Sequence, residues 1–145
     1  MSGVRGFGAM DTSLSALKAQ RERMEAIASN LANAESTRST KGGPYQRQQV
    51  VFEAVMNDAV AGNGTGGAGQ GVRVAGTYTD PRPPIKVHNP GHPDADANGN
   101  VMMPDIRPAE EIADMMSAAR SYEANSAALK ITRSMHQKAL DLGRG

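Results

Sequence analysis

Several groups of residues have types and spacing that could do chemistry. The most suggestive is Asp94-Ala95-Asp96-Ala97-Asn98-Gly99-Asn100-Val101 followed by Asp105. It places oxygen ligands at positions 1, 3, 5 and 12 of a calcium loop, with Gly at 6 and an apolar residue at 8. Three features count against a calcium site. Pro90, Gly91 and Pro93 stand where a helix should lead in, Pro104 precedes the last ligand, and Asp105 is shorter than the Glu that closes such loops. The competing reading is an Asx-rich turn whose side chains satisfy local backbone groups. His88 and His92 beside Asp94 and Asp96 offer a second metal-like set, but a segment so broken by Pro does not hold both imidazoles on one face. His136 lacks a Ser or Cys nucleophile partner and reads as an interface residue. Gly64-Thr65-Gly66-Gly67-Ala68-Gly69 spells GxGxxG, yet no helix begins within the following stretch, as a dinucleotide site requires. Glu110-Glu111 fall in a first helical turn, where they complement the helix dipole. No catalytic set, cofactor site or metal site emerges.

The elements that would position these residues are two long helices around an irregular middle. Leu14, Leu17, Met24, Ile27 and Leu31 recur at helical steps after Asp11-Thr12-Ser13, any of which can supply an N-cap, and predict a helix over Thr12–Ala34. Ala16, Ala19, Ala26, Ala32 and Ala34 would let another helix approach closely. The second helix opens at Arg107-Pro108 and runs to Leu142, with Gly143 as the natural C-cap. Ile112, Met115, Ala119, Tyr122, Ser126 and Leu129 alternate steps of three and four, continuing through Arg133, His136 and Leu140. Met116, Thr132, Met135 and Ala139 widen that face, and the seven-residue repeat is the pattern of coiled-coil packing.

Between the helices, Tyr45–Phe52 reads as a strand, with Phe52–Val60 equally readable as a short helix. Ala61–Gly71 is a flexible glycine-rich linker. Val72-Arg73-Val74 and Ile85-Lys86-Val87 are strand candidates flanking the turn signal Thr79-Asp80-Pro81. The expected fold is mainly α: long terminal helices paired as a coiled-coil-like domain, residues 1–40 and 106–145, around an extended or β-rich middle over 41–105 with the insert at 61–71. In this scheme Leu14, Leu17, Met24, Ile27 and Leu31 pack against Ile112, Met115, Met116, Ala119, Tyr122, Leu129 and Met135.

Composition narrows the function classes. Among 145 residues there are three Tyr, two Phe and no Trp, so Ala, Met, Leu, Ile and Val must fill whatever core exists. Lys+Arg 16 against Asp+Glu 15 leaves a net charge of +1, without the basic excess that neutralises phosphates in a nucleic-acid binder. The absence of Cys removes thiol catalysis, disulfides and Cys-ligated zinc. No apolar run is long enough to insert in a membrane, and the first ten residues hold no signal-peptide core, so export, if it occurs, is expected by another route. Neither amphipathic helix can hide its stripe alone. They pair with each other, with other copies or with other proteins; a calcium-binding module and a coiled-coil adaptor are the competing classes.

Ser29-Asn30-Leu31-Ala32-Asn33-Ala34-Glu35-Ser36 resembles the SNxANAxT signature of the flagellar axial proteins, which form rod and hook. Gly42-Gly43-Pro44-Tyr45-Gln46-Arg47, Val50-Val51-Phe52, His92-Pro93-Asp94-Ala95-Asp96 with Gly99 and Val101, and Glu111–Met116 with Ser117–Asn125 are similar, in order, to the proximal-rod members of that family. The resemblance covers nearly the whole chain outside the glycine-rich insert; His88 and Asn100 depart from it, standing where the family often has an aromatic residue. It implies a structural, non-enzymatic subunit of the periplasmic rod, the drive shaft that carries torque, with no cofactor. Its implied partners are other copies, other rod subunits and the inner-membrane ring and export-gate components at the rod base. It implies export through the flagellar type III apparatus without a cleaved signal peptide. It also implies that the HPDAD stretch is a structural turn, and that Asn30 and Asn33 satisfy carbonyls at the helix exit or bridge to a neighbouring helix.

Overall fold

The computed structural model describes residues 5–40, 42–55 and 71–143. Helix α1 (Arg5–Ala32) leads to strand β1 (Gln48–Val55), then β2 (Gly71–Thr79), β3 (Ile85–His88), β4 (Asn100–Met103) and helix α2 (Pro108–Leu142). The architecture is two helices with a small antiparallel-strand middle. The helical rise makes α1 about 42 Å and α2 about 52 Å long.

Helix α1 starts earlier than its apolar stripe, so Asp11, Thr12 and Ser13 lie inside it rather than capping it. Ser15 Oγ donates to the Thr12 carbonyl at 2.8 Å, the local bond by which a hydroxyl is accommodated in a helix interior. The helix ends at Ala32, two residues before the expected Ala34, and there the Ser29 carbonyl accepts from both the Asn33 N–H at 3.1 Å and the Asn33 side chain at 2.9 Å. Helix α2 begins as expected, with Pro108 in its first turn and Glu110 and Glu111 at the positive end of the dipole. At its other end Gly143 takes φ −80°, so the left-handed glycine cap is not used and its N–H simply closes onto the Ala139 carbonyl at 3.1 Å.

Strands β1 and β2 form an antiparallel ribbon from Gln48↔Thr79 to Val55↔Gly71, with a register irregularity between Val51 and Phe52. Phe52–Val55 is therefore strand rather than helix; the remainder of that alternative, and the insert up to residue 70, lie outside the described residues. The two strands that flank Thr79-Asp80-Pro81 do not pair with each other. The segment Pro81-Arg82-Pro83-Pro84 stays extended, since three prolines fix φ and remove donors. β3 pairs instead with β4, Ile85↔Met103 through His88↔Asn100. β4 lies inside the calcium-like stretch from Asp94 to Asp105.

The helices pack against each other and the ribbon packs on α1. Asn30 meets Glu111 and Arg23 meets Asp114, so as α1 runs back α2 runs forward, and the two are antiparallel. The buried apolar residues are small or few: Ala19, Ala26 and Ile27 on α1, Ala118 on α2, Val101 and Ile106 in the middle. On α2 positions 111 and 118 are buried, and 114, 115, 119, 121, 125, 126, 129, 132 and 136 are half-buried. The expected stripe shares 115, 119, 126, 129 and 136 with these, whereas 112, 122, 133 and 140 are exposed. The true seam is selected by small Ala118 and by polar Glu111 and Asn125, not by the bulkiest apolar side chains. Ile27 is buried, and Leu17, Met24, Met115, Ala119 and Leu129 are half-buried. Leu14, Leu31, Ile112, Met116, Tyr122 and Met135 are exposed, so they do not form the seam within one chain.

Candidate assembly site: a buried polar junction

The signature at the end of α1 sits where three elements converge. Asn30 is fully buried, and its carboxamide is completely satisfied. Its Nδ2 donates to the Gln48 carbonyl at 2.9 Å and to Glu111 Oε2 at 3.1 Å, while its Oδ1 accepts from the Gln48 N–H at 2.8 Å and the Tyr45 hydroxyl at 3.1 Å. The side chain thus behaves as a strand residue toward β1 and as a hydrogen-bond donor toward α2. Ser29 reaches the Tyr45 hydroxyl at 3.1 Å, which ties the preceding position to the same tyrosine.

Glu111, 1% exposed, is the charge at the centre. A buried carboxylate is costly unless it is paired and hydrogen-bonded. Arg47 Nε donates to Glu111 Oε1 at 2.6 Å, and the same guanidinium lies 3.4 Å from Asp114 and 3.9 Å from Asp80. Arg23 reaches Asp114 at 3.5 Å from the α1 side. Asp80 accepts from the Arg82 N–H and Nε, both at 3.0 Å, and Arg82 Nη1 continues to Asp105 at 2.9 Å. The Arg82 side chain, bonded to Asp80, holds that carboxyl below its usual range and is itself pushed up by the same bond. The result is an alternating charge chain through α1, α2, the start of β1 and the β2–β3 connection.

The second motif closes the other side of the helix exit. Thr37 Oγ1 donates to Asp94 Oδ2 at 2.7 Å and Arg38 pairs with the other Asp94 oxygen, which binds the segment after α1 to the β3–β4 loop. The Thr37 bond, followed by Arg38, draws the Asp94 carboxyl below its ordinary value. His92 Nδ1 accepts from the Asp94 N–H at 3.1 Å. Asp96 accepts from the backbone of Asn100 at 2.9 Å and of Asn98 at 2.8 Å, and the Asn100 bond leads in lowering its pKa. Gly99 completes the turn at φ +71°, a left-handed conformation. These carboxylates are spent on an Asx turn and a loop clamp. Among the described residues no three His, Asp or Glu side chains are grouped to hold a metal ion.

The remaining sequence candidates stay apart from this junction. His88 and Asn100, the two departures from the family pattern, face each other across β3 and β4 at 3.3 Å. His136 Nδ1 lies 3.0 Å from the Thr132 carbonyl on its own helix. Glu110 pairs with Arg107 at 2.9 Å, whereas its neighbour Glu111, read from sequence only as a dipole partner, is the buried hub. Gly43 and Gly42 take positive φ in the turn before Pro44 and Tyr45, Ala32 is exposed at the end of α1, and Pro93 is exposed in the β3–β4 loop. The roles of Arg47 and Gln48 were missed because their partners Glu111 and Asn30 lie far away in the chain, their local signal being only the Tyr45 motif, and Arg82 was missed although its partner Asp80, named as a turn signal, stands two residues before it.

Antiparallel terminal helices, a polar lock at their junction and a row of exposed apolar side chains define a structural assembly protein. Family comparison agrees. The flagella basal body rod protein family matches residues 10–38, and the C-terminal family of flagellar basal body rod FlgEFG proteins matches residues 97–142. The chain is 38% identical to the flagellar basal-body rod protein FlgC of Bacillus subtilis over 97% of its own length and 100% of that protein. It is 45% identical to FlgC of Salmonella typhimurium over 92% of this chain and 95% of that one, and 36% identical to FlgC of Borreliella burgdorferi over 96% and 98%. The chain belongs to the FlgC family of flagellar basal-body rod proteins, structural subunits of the rod.

Proposed function

We propose that this chain polymerises through its terminal helices, together with other copies and other rod subunits, into the proximal part of the rod. There it acts without catalysis, as a torque-bearing element of the periplasmic drive shaft. The observation that carries this reading is the apolar surface left on the helices. Leu14 and Leu31 on α1 are exposed, and on α2 Ile112, Met116, Ile131, Met135, Leu140 and Leu142 are exposed, Met135 at 65% and Leu142 at 84%. Repeated large side chains along both helices are what neighbours in a helical tube would cover. No helix of the described residues is long and apolar enough to cross a membrane, so this surface is not a membrane span.

In this reading residues 1–40 and 106–145 form one helical domain with coiled-coil-like contacts, completed by neighbouring subunits. The middle segment 41–105 faces outward, and the rod base meets the inner-membrane ring and export gate. Passage through the flagellar type III apparatus fits the same role. The test is Met135→Asp, expressed in a strain lacking the wild-type copy. The exposed position predicts unchanged far-UV circular dichroism for the isolated chain, together with failure to enter isolated basal bodies and loss of swimming. A variant that incorporates and swims normally refutes the assignment of this helix face to subunit contacts.

A further inference from the structure

The β1–β2 ribbon is pinned to α1 at both ends by side chains that stand in for a strand partner. At one end Asn30 takes both the N–H and the carbonyl of Gln48. At the other, Ser15 Oγ accepts from the Val72 N–H at 3.0 Å. Val72 is paired with Ala54, so along β1 the pins are separated by the run from Gln48 to Ala54, about 20 Å at strand rise. Along α1 the run from Ser15 to Asn30 spans about 22 Å at helical rise. The matched spans lay the ribbon along the helix. The far seat is tight: a Cβ on Gly71 would come within 2.7 Å of Ser15 Oγ.

Only the Asn30 pin also reaches α2. From the Gln48 carbonyl the path runs to Asn30 Nδ2, from there to Glu111 Oε2, through that carboxylate to Arg47 Nε, and back along the Arg47-Gln48 peptide. Each of the three elements supplies a member: α1 gives Asn30, α2 gives Glu111, and the run into β1 gives Arg47 and Gln48. No two of them close the ring. If α2 packs on α1 without the ribbon seated, Glu111 is buried without Arg47; if the ribbon seats without α2, Asn30 and Arg47 each lose a partner. The first state leaves a buried carboxylate unpaired, which is the expensive outcome for such networks, and the second forgoes the Glu111 bonds that Asn30 and Arg47 make in the closed ring.

We propose that this ring makes the seating of the β1–β2 ribbon conditional on the pairing of α1 with α2. Asn30, Arg47 and Glu111 are positioning residues: they hold the ribbon in one orientation in a subunit whose helices are paired and release it in one whose helices are not. The inference concerns the chain's own conformational coupling and stands apart from the rod reading.

The chain has no cysteine, and Ser15 Cβ lies 3.3 Å from the position of a Gly71 Cβ, beside the roughly 3.5–4.5 Å spacing of a disulfide. Ser15→Cys with Gly71→Cys in the full chain gives up the Ser15–Val72 bond and puts a side chain at φ +157°, so each ring variant is read relative to this pair with the ring intact, and the pair reports seating at the end of the ribbon far from the ring. The readout is the effective concentration of the thiol pair in a glutathione redox buffer, with far-UV circular dichroism as the check on the helices. Adding Glu111→Ala is expected to lower that value roughly tenfold with helicity retained, although Glu111 touches neither cysteine. An unchanged value overturns the proposal. If Glu111→Ala costs the chain its helicity, Arg47→Lys decides, because it keeps the charge and loses the planar fork: a fall in a helical protein supports the ring, and no fall overturns it. Asn30→Ala combined with Arg47→Lys should do no more than the larger single change, since either one opens the ring; independent, multiplying effects overturn it.

Discussion

Asn30→Asp is the most informative single change, because it is isosteric and alters only hydrogen-bonding sense. Oδ1 keeps its bonds from the Gln48 N–H and the Tyr45 hydroxyl, but the atom that replaces Nδ2 is an acceptor facing two acceptors, the Gln48 carbonyl at 2.9 Å and Glu111 Oε2 at 3.1 Å. Two carboxylates at that separation repel by about 5 kcal/mol at an effective dielectric of about 20. Holding a proton on one of them at pH 7 costs about 4 kcal/mol, because an ordinary carboxyl value lies about three pH units lower. The protonated pair is therefore the cheaper state, and its proton restores only one of the two lost bonds, each worth about 1 kcal/mol. The expected deficit is about 5 kcal/mol at pH 7, a large share of the roughly 5–15 kcal/mol available to a domain. The sign with pH follows from linkage. The folded pair binds a proton that the unfolded chain releases, so stability falls as pH rises, and the deficit shrinks to about 1–2 kcal/mol near pH 4.5. Asn30→Ala loses all four bonds without adding charge, and its deficit, about 3–4 kcal/mol, should be nearly flat over that range. Urea unfolding followed by far-UV circular dichroism at several pH values separates the two. Parallel profiles for the Asp and Ala variants, each taken relative to wild type, refute the direct contact of Asn30 with Glu111.

Two further changes test the loop clamp. Gly99→Ala should destabilise by about 1–3 kcal/mol, because φ is +71° and the added Cβ would lie 3.0 Å from Pro90 Cγ and 3.1 Å from His88 Cε1; thermal or urea unfolding of the variant checks it. Asp80, Asp94 and Asp96 all have lowered folded values, so their contribution is fully present above the unfolded carboxylate value of about 3.9 and is lost as pH falls through the lower folded values. Acid titration of stability should accordingly be shallower in that window for Asp94→Asn than for wild type, and an identical slope refutes the clamp. Calcium titration of the full chain by calorimetry should give no saturable heat, since Asp96 already serves two backbone N–H groups and Asp94 is engaged by Thr37 and Arg38.

What could be read from the sequence was what local rules govern. Pro108 with Glu110 and Glu111 marked the start of α2 because a proline without its N–H and two acids at a dipole's positive end act within one turn. The strand candidates at Val72 and Ile85 were visible through β-branched residues, but their partners were not, since pairing is a long-range choice and the intervening prolines decided it by refusing a tight turn. The start of α1 was misplaced because Asp11, Thr12 and Ser13 satisfy capping rules equally well outside a helix and are tolerated within one. The stripe of α2 proved only partly the seam for a related reason. A seven-residue repeat of large apolar residues announces that a helix has partners, and it was natural to assign the first partner to the other terminal helix.

The buried positions show a different division of labour. Within the chain, α1 and α2 meet through Ala19, Ala26, Ile27 and Ala118, side chains small enough for close approach, and through Asn30 and Glu111, whose bonds are directional. The bulky residues Met116, Ile131 and Met135 are left outside. Hydrophobic burial is non-directional and scales with area, so it suits contacts repeated among many neighbours. A hydrogen-bonded polar junction carries little net stability but penalises any arrangement that leaves it open, so it suits fixing one orientation inside a subunit. Asn30, Arg47 and Glu111 were each legible as motif letters, but their union was not, because an ion pair across 64 residues leaves no periodic trace in either segment. The signature at the end of α1 is therefore the local half of a long-range device, and its other half becomes visible only when the fold brings α2 and β1 to it.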